Sequence, residues 1–135
     1  PYNFPLTLLG TKVAPALAMG NRVVAVPSQR WPLAAVELYQ VFDTSDVPGG
    51  AINIVTGIAD ELAGVLAAHD EVDAIWYFGS ARGSAEVERL SIGNLKQAWV
   101  NLGRRRDWFD AEQAAGQELL RRASQVKNIW VPYGE

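Results

Sequence analysis

The sequence predicts an α/β fold, a mainly parallel sheet covered by helices on both faces, and three observations point to it. Short runs rich in β-branched and aromatic residues alternate with longer stretches of helical periodicity. The runs recur at intervals of about twenty to thirty residues, the room that a right-handed helical crossover between parallel strands needs. They are apolar at successive positions rather than alternating, as strands buried on both faces require. At 135 residues the chain has the length of one domain.

The elements follow in order. Pro5 opens a first helix that carries Leu6, Leu9, Val13 and Leu17 at helical spacing, and Gly20 closes it. Arg22–Val26 reads as the first strand. Trp31–Ser45 is the second helix, with Pro32 at its start and Leu33, Val36, Leu38, Val41 and Phe42 inside. Strands then alternate with helices: Ala51–Val55, helix Ala59–Ala68, Ala74–Phe78, helix Gly83–Ile92, Gln97–Asn101, helix Asp110–Val126, and a terminal strand Asn128–Val131. There is no internal repeat, low-complexity tract or linker, so residues 1–135 read as a single Rossmann-like three-layer module. It opens on a turn and a helix, where a doubly wound domain ordinarily opens on a strand.

Composition narrows the chemistry. Hydrophobic residues make up 49% of the chain and five are Trp, enough apolar material for a core. Twelve Lys and Arg against fifteen Asp and Glu leave a charge of -3, which argues against nucleic-acid or anionic-membrane partners. No apolar run approaches the length of a membrane-spanning helix. The absence of Cys removes disulfides, thiolate metal sites and a cysteine nucleophile from this stretch, and a lone His69 cannot build a histidine metal site. No secretory signal is legible, so the expected compartment is the cytoplasm.

Pro1-Tyr2-Asn3-Phe4-Pro5, Ala14-Pro15-Ala16-Leu17-Ala18-Met19-Gly20-Asn21, Pro27-Ser28, Asn53-Ile54-Val55-Thr56-Gly57, Phe78-Gly79-Ser80 and Asn101-Leu102-Gly103 occur in one order and spacing. Together they resemble the cofactor domain of the aldehyde dehydrogenase superfamily over residues 1 to about 104, beyond which the pattern diverges. Trp76–Ser84 and the ending Ile129-Trp130-Val131-Pro132 look more narrowly like aldehyde dehydrogenase family sixteen, whose second, degenerate module closes the polypeptide. That resemblance implies a fragment whose partner is the remainder of a larger polypeptide, in a homo-oligomer. It also implies that the strand leading into Pro1 belongs at the centre of the sheet, between those matching Arg22–Val26 and Ala74–Phe78, so the fragment lacks its first central strand.

The resemblance assigns roles residue by residue. Asn3 matches the oxyanion position, where an amide N–H would stabilise developing charge; its other reading is a cap for the helix at Pro5. Asn101 matches the general base, a Glu in the family, and an amide cannot take a proton near neutral pH. NAD or NADP is the implied cofactor, with Ser28, Gln29, Gly57, Gly79, Ser80 and Arg82 as candidate contacts. Val26 stands where the family has a ribose-binding Lys, and Gln29 replaces a Glu. Gly79-Ser80 at a strand-to-helix turn suits a pyrophosphate, and it equally suits a tight turn with a helix cap. Arg104-Arg105-Arg106 reads as a solvated loop partly neutralised by Asp107, and Trp76, Trp99 and Trp130 as core or module contact. Three functions are therefore expected: a non-catalytic module for packing or assembly, the NAD(P)-binding part of an aldehyde-oxidising enzyme, or a nucleotide sensor at the Gly79 turn.

Overall fold

The computed structural model of the chain describes residues 5–126 and 128–134. Helices and strands alternate: α1 (Pro5–Ala18), β1 (Val23–Ala25), α2 (Leu33–Asp43), β2 (Ile52–Ile54), α3 (Ala59–Ala68), β3 (Ala74–Tyr77), α4 (Ala81–Leu90), β4 (Gln97–Val100), α5 (Ala111–Ala115) and α6 (Gln117–Arg122). Both strand pairs are parallel. Val23 lies opposite Ile52 in β1–β2, and Ala74 lies opposite Gln97 in β3–β4. A helix makes each crossover, as parallel neighbours demand.

The pairs remain two sheets, because β1 and β3 are not hydrogen-bonded to each other among the described residues. Each pair has its own core. Leu9, Val13, Ala25, Ala35 and Ile52 bury one between α1, α2 and the first pair. Ala63, Ala67, Ile75 and Val87 bury the other between α3, α4 and the second. Small alanines at the helix contacts let α2 and α3 sit close to the strands they cover.

Local chemistry explains the helix ends. α1 closes where Gly20 adopts φ +81°, and the Gly20 and Asn21 amides return to the Leu17 and Ala16 carbonyls. Ser80 caps α4, its Oγ accepting from the Gly83 amide at 3.0 Å. α3 has no capping side chain of its own; Asp60 and Glu61 fill its first turn, where carboxylates suit the helix dipole.

Two expectations fail at the C-terminal side. The helix expected over Asp110–Val126 is two short helices, because at Gly116 the backbone turns extended; it passes so close to the Glu112 carbonyl that a Cβ there would not fit. The strand expected at Asn128–Val131 does not form; residues 128–134 carry no regular structure. β-propensity makes a strand only where a ladder partner is available. Trp130 is accordingly 91% exposed and belongs to no core. Among the described residues, no helix is long and apolar enough to cross a membrane.

Candidate functional site

Loops that leave the carboxyl ends of parallel strands form the rim where ligands of open α/β sheets bind. The candidates fall on these loops: Ser28 and Gln29 follow β1, Gly57 follows β2, Gly79 and Ser80 follow β3, and Asn101 follows β4. Three side-chain hydrogen bonds stitch the loops together. Gln29 Oε1 accepts from the Ala59 amide at 3.3 Å, the Tyr77 hydroxyl donates to Asp60 Oδ1 at 2.7 Å, and Asn101 Oδ1 accepts from the Gly79 amide at 3.1 Å. The glutamine expected beside a ribose thus caps α3, and the asparagine at the base position clips the Gly79 turn.

Asn101 is engaged at both ends, since its Nδ2 donates to the Arg104 carbonyl at 2.9 Å. The turn it begins folds onto the start of α4. Leu102 and Gly103 take φ values of +52° and +73°, and the Leu102 amide donates to the buried Ser84 Oγ at 3.1 Å. A Cβ on Gly103 would stand 3.0 Å from the Ala81 amide nitrogen, so glycine serves both the backbone angle and the close approach here.

Tyr77 covers the same turn from the other side. A Cβ on either Gly79 or Gly83 would collide with its phenol, so the ring lies over the first turn of α4. Burial, followed by the hydrogen bond to Asp60, raises the Tyr77 hydroxyl above its ordinary pKa. Arg82 is exposed, Gly57 is exposed beside the Leu62 side chain, and Ser28 is half-buried. Asn3 lies outside the described residues.

Tested against a dinucleotide, this rim fits poorly. The Gly79 amide donates to Asn101, the Ser80 Oγ accepts from the Gly83 amide and the Gln29 carbonyl accepts from the Ala59 amide. The ring of Tyr77 occupies the hollow that glycines at 79 and 83 would otherwise leave. Of the six candidate residues, Arg82 supplies the exposed cation and none supplies a carboxylate for ribose hydroxyls.

A second cluster was not legible in the sequence. Phe78, Trp99 and Trp108 stack edge to face, with centroids 4.9 Å apart for Phe78–Trp99 and 5.3 Å for Phe78–Trp108. Lys12 of α1 points its Nζ at Phe78 from 4.5 Å and at Trp108 from 4.8 Å. Arg106 lies over Trp99 and Trp108 and pairs with Glu118 at 2.9 Å. This corrects the reading of Arg104–Arg106 as a solvated loop: Arg104 and Arg105 are exposed, but Arg106 is folded into the cluster. Burial first, and Arg106 second, lower Lys12 from 10.5 to about 8. Four sequence-distant segments meet here, and each residue alone resembles ordinary core or surface.

A family model described as "Aldehyde dehydrogenase family" matches residues 1–125. The chain belongs to the aldehyde dehydrogenase family. It is 38% identical over 104 residues to the NADP/NAD-dependent aldehyde dehydrogenase PuuC of Escherichia coli, covering 76% of this chain and 21% of PuuC. The 2-aminomuconic semialdehyde dehydrogenase of Mus musculus is 35% identical over 135 residues, covering 100% of this chain and 27% of the mouse protein. Among solved structures, aldehyde dehydrogenase C of Pseudomonas syringae, a mutant complexed with NAD+ and octanal, superposes with a TM-score of 0.71 at 37% identity. That match covers 74% of this chain and 21% of the other. The chain therefore spans 21% to 27% of the length of these aldehyde dehydrogenases. The α/β fold with parallel strand pairs is the fold of that family's Rossmann-like domain.

Proposed function

We propose that this chain is the cofactor-domain portion of a longer aldehyde dehydrogenase family protein and contributes packing and assembly there rather than catalysis. Asn101 carries the reading. The family resemblance puts a general base at this position, and here an amide spends its oxygen on the Gly79 amide and its nitrogen on the Arg104 carbonyl. An amide so placed holds a loop and cannot accept a proton from water. The likeness of Trp76–Ser84 to the degenerate second module of family sixteen supports the same role, with the remainder of the polypeptide as partner and a homo-oligomer as the assembly.

The second reading, the NAD(P)-binding part of an enzyme that oxidises aldehydes, is favoured by the convergence of Ser28, Gln29, Gly57, Gly79 and Ser80 on one rim. Nucleotide sensing would use the same rim. Two measurements on the polypeptide that carries this stretch separate the readings. Replacing Asn101→Ala should change aldehyde turnover by less than about twofold, whereas loss of a transition-state contact would lower it roughly a hundredfold. Calorimetric titration of the module with NAD, NADP and ADP-ribose should give constants weaker than about 1 mM, or roughly -4 kcal/mol. Micromolar binding of a nicotinamide cofactor would promote the second reading, and micromolar binding of ADP-ribose alone would promote the sensor.

A further inference from the structure

A cavity lies at the opposite end of β4 from the rim. Gln97, the first residue of β4, lines it together with Glu118, Arg121 and Arg122 of α6, and its volume is about 400 Å³. Three guanidiniums meet one carboxylate here. Glu118 turns Oε2 to Arg106 at 2.9 Å and Oε1 to Arg122 at 3.8 Å, so both of its oxygens already face cations. Arg122 also lies over Trp99, 5.2 Å from the ring centroid, a contact that orients its planar guanidinium. Arg121 forms no ion pair among the described residues. The cavity thus carries excess positive charge in a chain of net charge -3. Gln97 adds a group of the other kind. Its Oε1 is buried and accepts no hydrogen bond among the described residues, whereas nearly all buried polar atoms are paired. The terminal torsion of a glutamine is broad, so a turn of the amide presents that oxygen to the cavity Gln97 lines.

We propose that this cavity is a site for hydrogen phosphate. Charged oxygens of the ion accept from the Arg121 and Arg122 guanidiniums, whose planar forks match an edge of a tetrahedral oxyanion. Its P–OH donates to Gln97 Oε1 and satisfies the acceptor that the fold leaves unpaired. Glu118 opposes the ion least where it stands, because Arg106 and Arg122 offset its charge. Sulfate has the same shape and charge but no O–H, so it leaves the buried oxygen unpaired. A phosphate monoester loses its last proton near a pKa of about 6, and above that pH it lacks a donor as sulfate does. At about pH 8, hydrogen phosphate is the one of the three that brings both charge and donor. The site is separate from the Gly79 turn, since its residues are the first of β4 and the side chains of α6.

The test is calorimetric titration of the polypeptide that carries this stretch with inorganic phosphate, sulfate and phenyl phosphate. It is run at about pH 8 and low ionic strength, where exposed guanidiniums are least screened. Phosphate should bind saturably and at least about tenfold tighter than the other two, because a site with a buried acceptor rejects an analogue that lacks the donor. Arg121→Gln should weaken phosphate binding at least about tenfold, and this exposed side chain makes no ion pair that the fold needs. Gln97→Leu should lower the affinity for phosphate to that for sulfate and leave sulfate unchanged. Absence of saturable phosphate binding, equal affinity for phosphate and either of the other anions, or phosphate binding indifferent to Arg121→Gln would each overturn the proposal. The comparison of the three anions is read on the unaltered protein, so a variant that fails to fold leaves the test intact. The titration involves neither nicotinamide nor turnover, so its failure would leave the packing role standing.

Discussion

Asn101 joins the loop after β4 to the loop after β3 through one amide. Removing it leaves the Gly79 N–H and the Arg104 carbonyl without their partner. Asn101→Ala should cost about 1–3 kcal/mol, seen as a lower denaturant midpoint at unchanged slope. Asn101→Glu should not create dehydrogenase activity in this module, because the stretch holds no Cys to form an acyl intermediate; NADH formation dependent on that substitution would refute this. Gly83 is the other sensitive position. A methyl there must displace Tyr77 and break its bond to Asp60, at an overpacking cost of about 1–3 kcal/mol, against a helix gain of at most about 1 kcal/mol. The sign should reverse in a Tyr77→Ala background, where Gly83→Ala meets no ring and improves the helix. The sequence exposed the identity of Asn101 and its loss of basicity, but not its two partners, which lie across a turn and on the loop after another strand. For Ser80 the local pattern was sufficient, because a cap needs only the amide three residues on.

Helices and strands with local punctuation were legible in outline. Pro5, Gly20, Pro32 and Ser80 bracket α1, α2 and α4 because their backbone preferences act within a turn. The C-terminal elements were not legible. At Gly116 the backbone turns extended and comes so close to the Glu112 carbonyl that a side chain would not fit, and Ile129–Val131 has strand composition without a ladder partner among the described residues. α1 has a property that its amphipathic pattern conceals: it carries Lys12 into an aromatic cage. With the folded pKa at about 8 and the free value at 10.5, the unfolded chain binds more protons between these pH values. Stability should therefore rise with pH from about 8 to about 10.5, by roughly 3 kcal/mol at most, and the full penalty should persist below pH 8. Lys12→Met should flatten that rise, as measured by denaturant midpoints across the window.

At the scale of the whole molecule, the two parallel strand pairs agree with the α/β fold the sequence predicts, while the side-chain cluster that spans the two halves has no sequence signature. Each half buries its own apolar set. Among the described residues the ties between them include the Gln29–Ala59 bond, the Asn21 amide reaching the Ala123 carbonyl at 2.7 Å, the packing of α1 on α6, and Lys12 against Phe78 and Trp108. Such an arrangement behaves like two leaves on a pin. α1 is rooted in the core of one leaf and inserts its lysine into the rings of the other, so it is one of the elements that couple the leaves. Lys12→Ala should loosen that pin and split one calorimetric transition into two, the leaf with β1 and β2 melting apart from the leaf with β3 and β4. A single transition with equal calorimetric and van't Hoff enthalpies in the variant would mean that the leaves are fastened elsewhere. A strand seated between the two pairs, as the family resemblance implies, would join the leaves into a continuous plate, and the pin would then bear little of the load.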